Sequence, residues 1–134
     1  MNVSPYLSFN GNCAEAIALS EKAFGAKAEI VRYKDAPASA GYTIPPGTEN
    51  NVMHANINLG AGMLMLCDVP PDMKANIGDT MSVMVTLDSI DQVKAAFDIL
   101  KEGGTAGMEL QETFWSKCFG SLNDKFGIAW MLSV

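Results

Sequence analysis

The sequence predicts an α+β protein built from two copies of one β-α-β-β-β module. Three observations carry that prediction. Asn12-Cys-Ala-Glu15 and Ser89-Ile-Asp-Gln92 each follow a β-like run and open a helix that glycine closes. A second echo sets Gly62-Met-Leu-Met-Leu-Cys67 against Gly127-Ile-Ala-Trp-Met-Leu132. At 134 residues the chain has the size of one domain able to bury a core. The modules fall at about residues 1–68 and 79–134 of this single domain, 1–134.

Each element has a local reason. Tyr6-Leu-Ser-Phe9 alternates as a strand does. Asn12 and Glu15 form a candidate capping box for a helix from Cys13 to Phe24, with Ile17, Ala23 and Phe24 among its apolar members and Gly25 as its left-handed stop. Ala28 to Lys34 reads as the second strand. From Asp35 to Asn51 the prolines and glycines make a long irregular loop, of the kind used as a lid, a binding loop or a mobile segment. Met53 to Leu59 then alternates, with Met53, Ala55, Ile57 and Leu59 on one face and His54, Asn56 and Asn58 on the other. Gly60-Ala-Gly62 turns the chain into Met63 to Cys67.

Val69 to Gly78 links the halves, and the pattern restarts. Met81 to Leu87 is a strand, and Ser89 with Gln92 is the second capping box. Val93, Ala96, Phe97 and Leu100 recur at helical spacing until Gly103-Gly104. Ala106 to Leu110 forms a strand and Gln111 to Cys118 a loop. Phe119 to Leu122 and Ile128 to Leu132 close the module as a hairpin. Each sheet needs a helix over one face, because both elements have one apolar side to hide. The opposite faces are expected to curve around a shared groove lined by the alternate strand positions.

Composition narrows the function. Hydrophobic residues at 49% and charged residues at 18% describe a folded globule. Nine Lys+Arg against fifteen Asp+Glu give a net charge of −6, which argues against nucleic acid and favours neutral or cationic ligands. No apolar run approaches the roughly 18 residues of a membrane span. The N-terminus lacks the regions of a signal peptide. Three cysteines without CxxC spacing suggest neither a disulfide framework nor a zinc cluster, and fit a reducing cytoplasm.

Pro5-Tyr-Leu-Ser-Phe-Asn-Gly-Asn-Cys13, Met53-His-Ala55, Glu112-Thr-Phe-Trp115 and Asp124-Lys-Phe-Gly-Ile-Ala-Trp130 resemble the PhnB-like branch of the vicinal oxygen chelate superfamily. Glyoxalase I, extradiol dioxygenases and bleomycin-resistance proteins share that superfamily. The resemblance covers nearly the whole chain. It implies paired βαβββ modules, glyoxalase-like half-barrel sheets around a cleft, and a homodimer. In family enzymes four metal ligands lie on the first and last strands of the modules. Aligned here, those positions carry Ser4, Met65, Ser82 and Trp130. None of these is an imidazole or carboxylate ligand for a catalytic divalent metal. The expectation is therefore no metal and no cofactor, and a groove suited to binding more than to bond-breaking.

Two activities are tested by the same residues. A methyltransferase acting on quinone precursors calls for a glycine-rich turn after the first strand of a doubly wound sheet. Phe9-Asn-Gly-Asn12 is not such a turn. A phosphonate role calls for arginine, and Arg32 is the only one.

The candidate ligand-binding residues follow. His54, the single histidine, serves as a hydrogen-bonding anchor, or as a lone polar residue satisfied by neighbours. Tyr6, Ser8 and Asn56 supply further hydrogen bonds, or face solvent. Met65 and Ser82 join them from the former ligand positions, with Met63 and Met84 as adaptable walls or ordinary core. Phe114, Trp115 and Phe119 offer an aromatic platform on a loop, or loop packing. Trp130 floors the groove, or fills an abandoned metal site. Cys67 with His54 is a candidate nucleophile and base, and Cys118 a further reactive thiol; Cys13 reads as a buried helix residue. The function expected is a metal-free small-molecule binding protein. The alternative is a glyoxalase-like lyase or isomerase using a divalent metal or a His54/Cys67 site.

Overall fold

The computed structural model describes residues 1–37, 41 and 43–134. The expected Asp35–Asn51 loop lies partly outside them, at residues 38–40 and 42. The chain divides into two compact units, Met1–Glu21 with Gly25–Asn76, and Lys22–Phe24 with Ile77–Val134.

The first unit runs β1 (Tyr6–Phe9), α1 (Cys13–Phe24, to Glu21 in this unit), β2 (Ala28–Arg32), a 3-10 turn at Tyr33–Asp35, β3 (Val52–Leu59) and β4 (Gly62–Asp68). Its sheet has the order β1-β4-β3-β2, with β1 parallel to β4 and the other pairs antiparallel. The second unit repeats the plan as β5 (Val83–Thr86), α2 (Ile90–Lys101), β6 (Thr105–Gln111), β7 (Phe119–Asn123) and β8 (Ala129–Ser133). Its order is β5-β8-β7-β6, again with the outer first strand parallel to the last. The two βαβββ modules are thus as expected. Among the described residues no helix is long and apolar enough to cross a membrane.

Alternation decides which sheet face is hidden. In the first unit Phe9, Ala55, Ile57, Leu64 and Leu66 are all buried, as are Cys13, Ala16 and Ile17 of α1. In the second, α2 buries Val93, Ala96, Phe97 and Leu100, the residues its spacing picked out. Burying the three larger of these contributes roughly 6 kcal/mol, an upper figure because the unfolded chain already hides some surface. Gly120 of β7 shows how tightly helix and sheet meet: a Cβ there would lie 2.9 Å from Phe97 Cε2.

Several details differ from the sequence reading. The Asn12–Glu15 capping box is not formed, and the Asn12 side chain makes no cap bond. Asp68 replaces it: its Oδ1 accepts from the amides of Gly11 (2.9 Å) and Cys13 (3.0 Å), and its Oδ2 from Val52 (2.9 Å). A carboxylate from β4 can reach the helix start because β1 and β4 run side by side. In the second capping box Ser89 Oγ accepts from the Gln92 amide, but Gln92 Oε1 accepts from Asp88, one residue upstream of the expected partner. β2 stops at Arg32, where a register shift opposite Val52 turns that valine fully inward. β5 is shorter than Met81–Leu87, and β6 is a residue longer at each end than Ala106–Leu110.

Candidate functional site

Side chains on the other face of the first sheet point away from its core. β1, β4 and β3 lie side by side, and their register pairs Tyr6 with Met65, Ser8 with Cys67, and Asn56 with Met65. His54 joins this row through its pairing with Val31 of β2, and Glu29 lies beside Asn56. Six residues singled out in the sequence (Tyr6, Ser8, His54, Asn56, Met65 and Cys67) therefore share one face. None of the six is buried, and Tyr6 is 50% exposed.

These side chains are linked. Tyr6 Oη lies 3.0 Å from His54 Nδ1, with the two rings 5.7 Å apart. Ser8 Oγ lies 3.9 Å from Cys67 Sγ, a long contact suited to sulfur. Burial, and then the neighbouring Cys67, raise the Tyr6 phenol above its ordinary value of 10.0, so it stays protonated at neutral pH. His54 and Cys67 thus have different side-chain partners on this face, Tyr6 and Ser8.

The remaining candidates lie in the second unit. Phe114, Trp115 and Phe119 form a chain of edge-to-face contacts, with centroids 4.8 and 5.5 Å apart. Phe114 is 98% exposed and Trp115 is 55% exposed, on a loop fixed from below. There Ser133 Oγ donates to Ser116 Oγ (2.8 Å), Ser116 Oγ donates to the Cys118 carbonyl (2.9 Å), and Ser116 N–H donates to Thr113 Oγ1. Ser82 just precedes β5 and is exposed. Cys118 is buried.

Trp130 does not reach the open face of its sheet. It pairs with Leu122 on the side that holds Leu132 and Gly120, and it is 1% exposed. Its indole N–H donates to Asp124 Oδ2 at 2.9 Å, and Phe24 stacks against it at 5.5 Å. Asp124 Oδ1 also accepts from Phe126 and Ile128, tying down the β7–β8 turn. Met131, with Met84 beside it in the register, holds the open-face position instead. The echo of Gly62–Cys67 in Gly127–Leu132 aligned Met65 with Trp130. Burial alternation alone could have shown that Leu66 matches Leu132 and Met65 matches Met131.

Sequence reading missed a hollow of about 490 Å³ in the first unit. Its walls include Asn10, Thr48, Asn51, Pro70, Met73 and Lys74. Asn10 braces one wall, donating to the Ala75 carbonyl and accepting from the Ala75 amide at 2.9 Å each. Neither partner is close in sequence, so no local signal marked it.

The residues do not fit a superfamily-type metal. Ser4 and Ser82 offer hydroxyls and Met65 a thioether, and Met131, the open-face counterpart of Met65, is a thioether as well. Among the described residues no group of three or more His, Cys, Asp or Glu is placed to hold a metal ion.

Two mixed sheets of this topology define a member of the vicinal oxygen chelate superfamily, in its PhnB-like branch. Within it, the chain belongs to the 3-demethylubiquinone-9 3-methyltransferase family, whose model matches residues 1–133. It is 34% identical over 141 residues to protein YjdN of Escherichia coli strain K12, covering 100% of this chain and 95% of that one. Protein PA1353 from Pseudomonas aeruginosa is similar in structure, with a TM-score of 0.86 and 33% identity over 99% of this chain and 96% of that one. The PhnB protein from Bacillus cereus, which carries the same methyltransferase label, has a TM-score of 0.72 and 30% identity over 99% and 98% of the two chains.

Proposed function

We propose that the protein binds a small, partly aromatic or amphipathic molecule against the open face of its first sheet, without a metal. One observation carries this reading. Six chemically mixed side chains from three adjacent strands converge there, with Tyr6 and His54 hydrogen-bonded at 3.0 Å and a thioether and a thiol between them. Such a surface offers directional bonds on an adaptable floor. A net charge of −6 favours a neutral or cationic ligand.

The family label names methyl transfer, and the geometry argues against a nucleotide-type cofactor at the first turn. Such cofactors sit at the carboxyl ends of a doubly wound parallel sheet, with an anion on free helix amides. Here each sheet has one parallel pair, and Asp68 already occupies the amides of Gly11 and Cys13. A homodimeric, cytoplasmic protein is part of the same proposal, supported by the family resemblance and by three free cysteines.

Calorimetry against panels of antibiotics and metabolites tests the reading, with elemental analysis of the same sample. The expected outcome is a binder whose affinity falls about tenfold in both His54→Ala and Tyr6→Phe, the effect of one lost hydrogen bond. Binding indifferent to both substitutions, or a stoichiometric divalent metal, overturns it.

A further inference from the structure

We propose that the hollow of about 490 Å³ beyond the carboxyl ends of β1 and β4 is a second binding site, for a small organic monocarboxylate with an apolar body. It goes beyond the function proposed above, because neither Tyr6, His54, Met65 nor Cys67 lines it. Its volume falls within the roughly 300–1,000 Å³ of small-molecule sites. Topology explains its place. β1 and β4 are the parallel pair of the first sheet, with Phe9 opposite Asp68 at their ends. From there the chain continues through Asn10 and Gly11 into α1, and through Val69 and Pro70 into the linker. Crevices outside the carboxyl ends of parallel strands are where open sheets hold ligands.

Each wall is pinned by hydrogen bonds of its own. Val69 N–H donates to the Phe9 carbonyl at 2.8 Å, and Met73 N–H to the Pro70 carbonyl at 2.9 Å. The Asn10 side chain holds Ala75 through both of its amide groups, at 2.9 Å each. The turn before β3 supplies the remaining wall. There Asn51 N–H donates to the Thr48 carbonyl at 3.0 Å, and Thr48 Oγ1 to the Pro45 carbonyl at 2.7 Å. A ligand therefore need not order the site, which removes one cost of binding.

The chemistry of the walls selects the ligand. Lys74 is the single charged residue on them. Among the described residues the one ion pair joins Lys101 to Glu109, so the Lys74 ammonium has no carboxylate partner there. The acidic neighbours are engaged elsewhere or stand apart. Asp68 accepts from the amides of Gly11, Cys13 and Val52, and Glu49 from that of Gly47. Asp72 is exposed and is not itself on a wall. Asn51 adds a carboxamide donor beside the lysine, while Val69, Pro70, Pro71 and Met73 give an apolar floor, the prolines without any N–H. One ammonium with an amide donor suits a carboxylate. A phosphate dianion calls for more positive charge, preferably from arginine. The net charge of −6 acts at a distance and is screened by salt beyond about 8 Å, whereas Lys74 acts in contact.

The test titrates benzoate, its neutral counterpart benzamide, and inorganic phosphate into the intact isotope-labelled protein at about 0.15 M salt, with amide NMR spectra locating each probe. Benzoate is expected to shift Gly11, Asn51, Val69 and Met73 saturably, with a Kd on the order of 1 mM. Benzamide should bind about tenfold more weakly. Lys74→Gln, an exposed position where the fold is not at stake, should weaken benzoate about fivefold and leave benzamide unchanged. Met73→Ser should weaken both probes. The proposal is overturned if benzoate gives no saturable shift at those residues, if benzamide matches it, or if Lys74→Gln binds as wild type does. Phosphate reproducing the benzoate shifts would also sink it, by showing charge to act without the apolar floor. Shifts confined to Tyr6, His54 and Cys67 would place the probe on the open face instead, so the two proposals fail separately.

Discussion

Asp68→Asn isolates the contribution of a buried carboxylate to the first unit. Asp68 is 1% exposed and accepts three backbone N–H bonds at 2.9–3.0 Å, joining the β1–α1 turn to the start of β3. Asparagine keeps the shape, so no cavity forms. Its one oxygen can serve one side of the arrangement, and its NH2 then confronts an amide donor on the other. Losing a bond to a charged acceptor and leaving a buried N–H unsatisfied costs about 3 kcal/mol. At about 2.1 cal/mol/K per residue, unfolding 134 residues carries an entropy of roughly 0.28 kcal/mol/K. The expected fall in Tm is therefore about 10 °C. Calorimetric melting measures it, and urea unfolding checks that the m-value is unchanged. Hydrogen exchange should speed at Gly11, Cys13 and Val52 before other strand amides. A Tm lowered by less than about 3 °C, with exchange unaltered at those positions, refutes the reasoning.

Two further predictions concern packing and pH. Gly120→Ala brings a Cβ within 2.7 Å of Leu110 Cδ2, 2.9 Å of Phe97 Cε2 and 3.0 Å of the Met108 carbonyl oxygen, so overpacking should destabilise by about 2 kcal/mol in urea titration; a loss below about 0.5 kcal/mol removes that account. The Cys13 thiol, fully buried, is raised above its ordinary 9.0 first by burial and then by the Asp68 charge. Above pH 9.0 the unfolded chain releases this proton while the folded one keeps it, so the native state binds more protons and stability declines as pH rises. Cys13→Ala should flatten that alkaline decline, and an unchanged slope would show that other groups produce it.

Much of the fold was legible because its cause is local. Val93, Ala96, Phe97 and Leu100 repeat at the helical period, and all four are buried. Gly25 stops α1 at a φ of 64°, a conformation that glycine adopts without the Cβ penalty. Alternation from His54 to Asn58 showed which residues would face away from the core, and pairing then added Tyr6, Ser8, Met65 and Cys67. The misreadings share a different cause. Asn12 has the right side chain and spacing for a cap, yet a carboxylate 56 positions along took the amides first. Trp130 lay in the right strand on the wrong face, since a one-residue slip in aligning the repeats inverts every side chain.

Sequence by itself determined the duplicated βαβββ plan and the two helices. Those features follow from periodicity and residue chemistry, which act between neighbours. Only tertiary structure decided that Tyr6 bonds His54 across the sheet, and that Asp68 and Asp124 organise the turns. Hydrogen bonds of that kind depend on strand order and register, quantities set by the burial of whole sheet faces and not by any short stretch of chain.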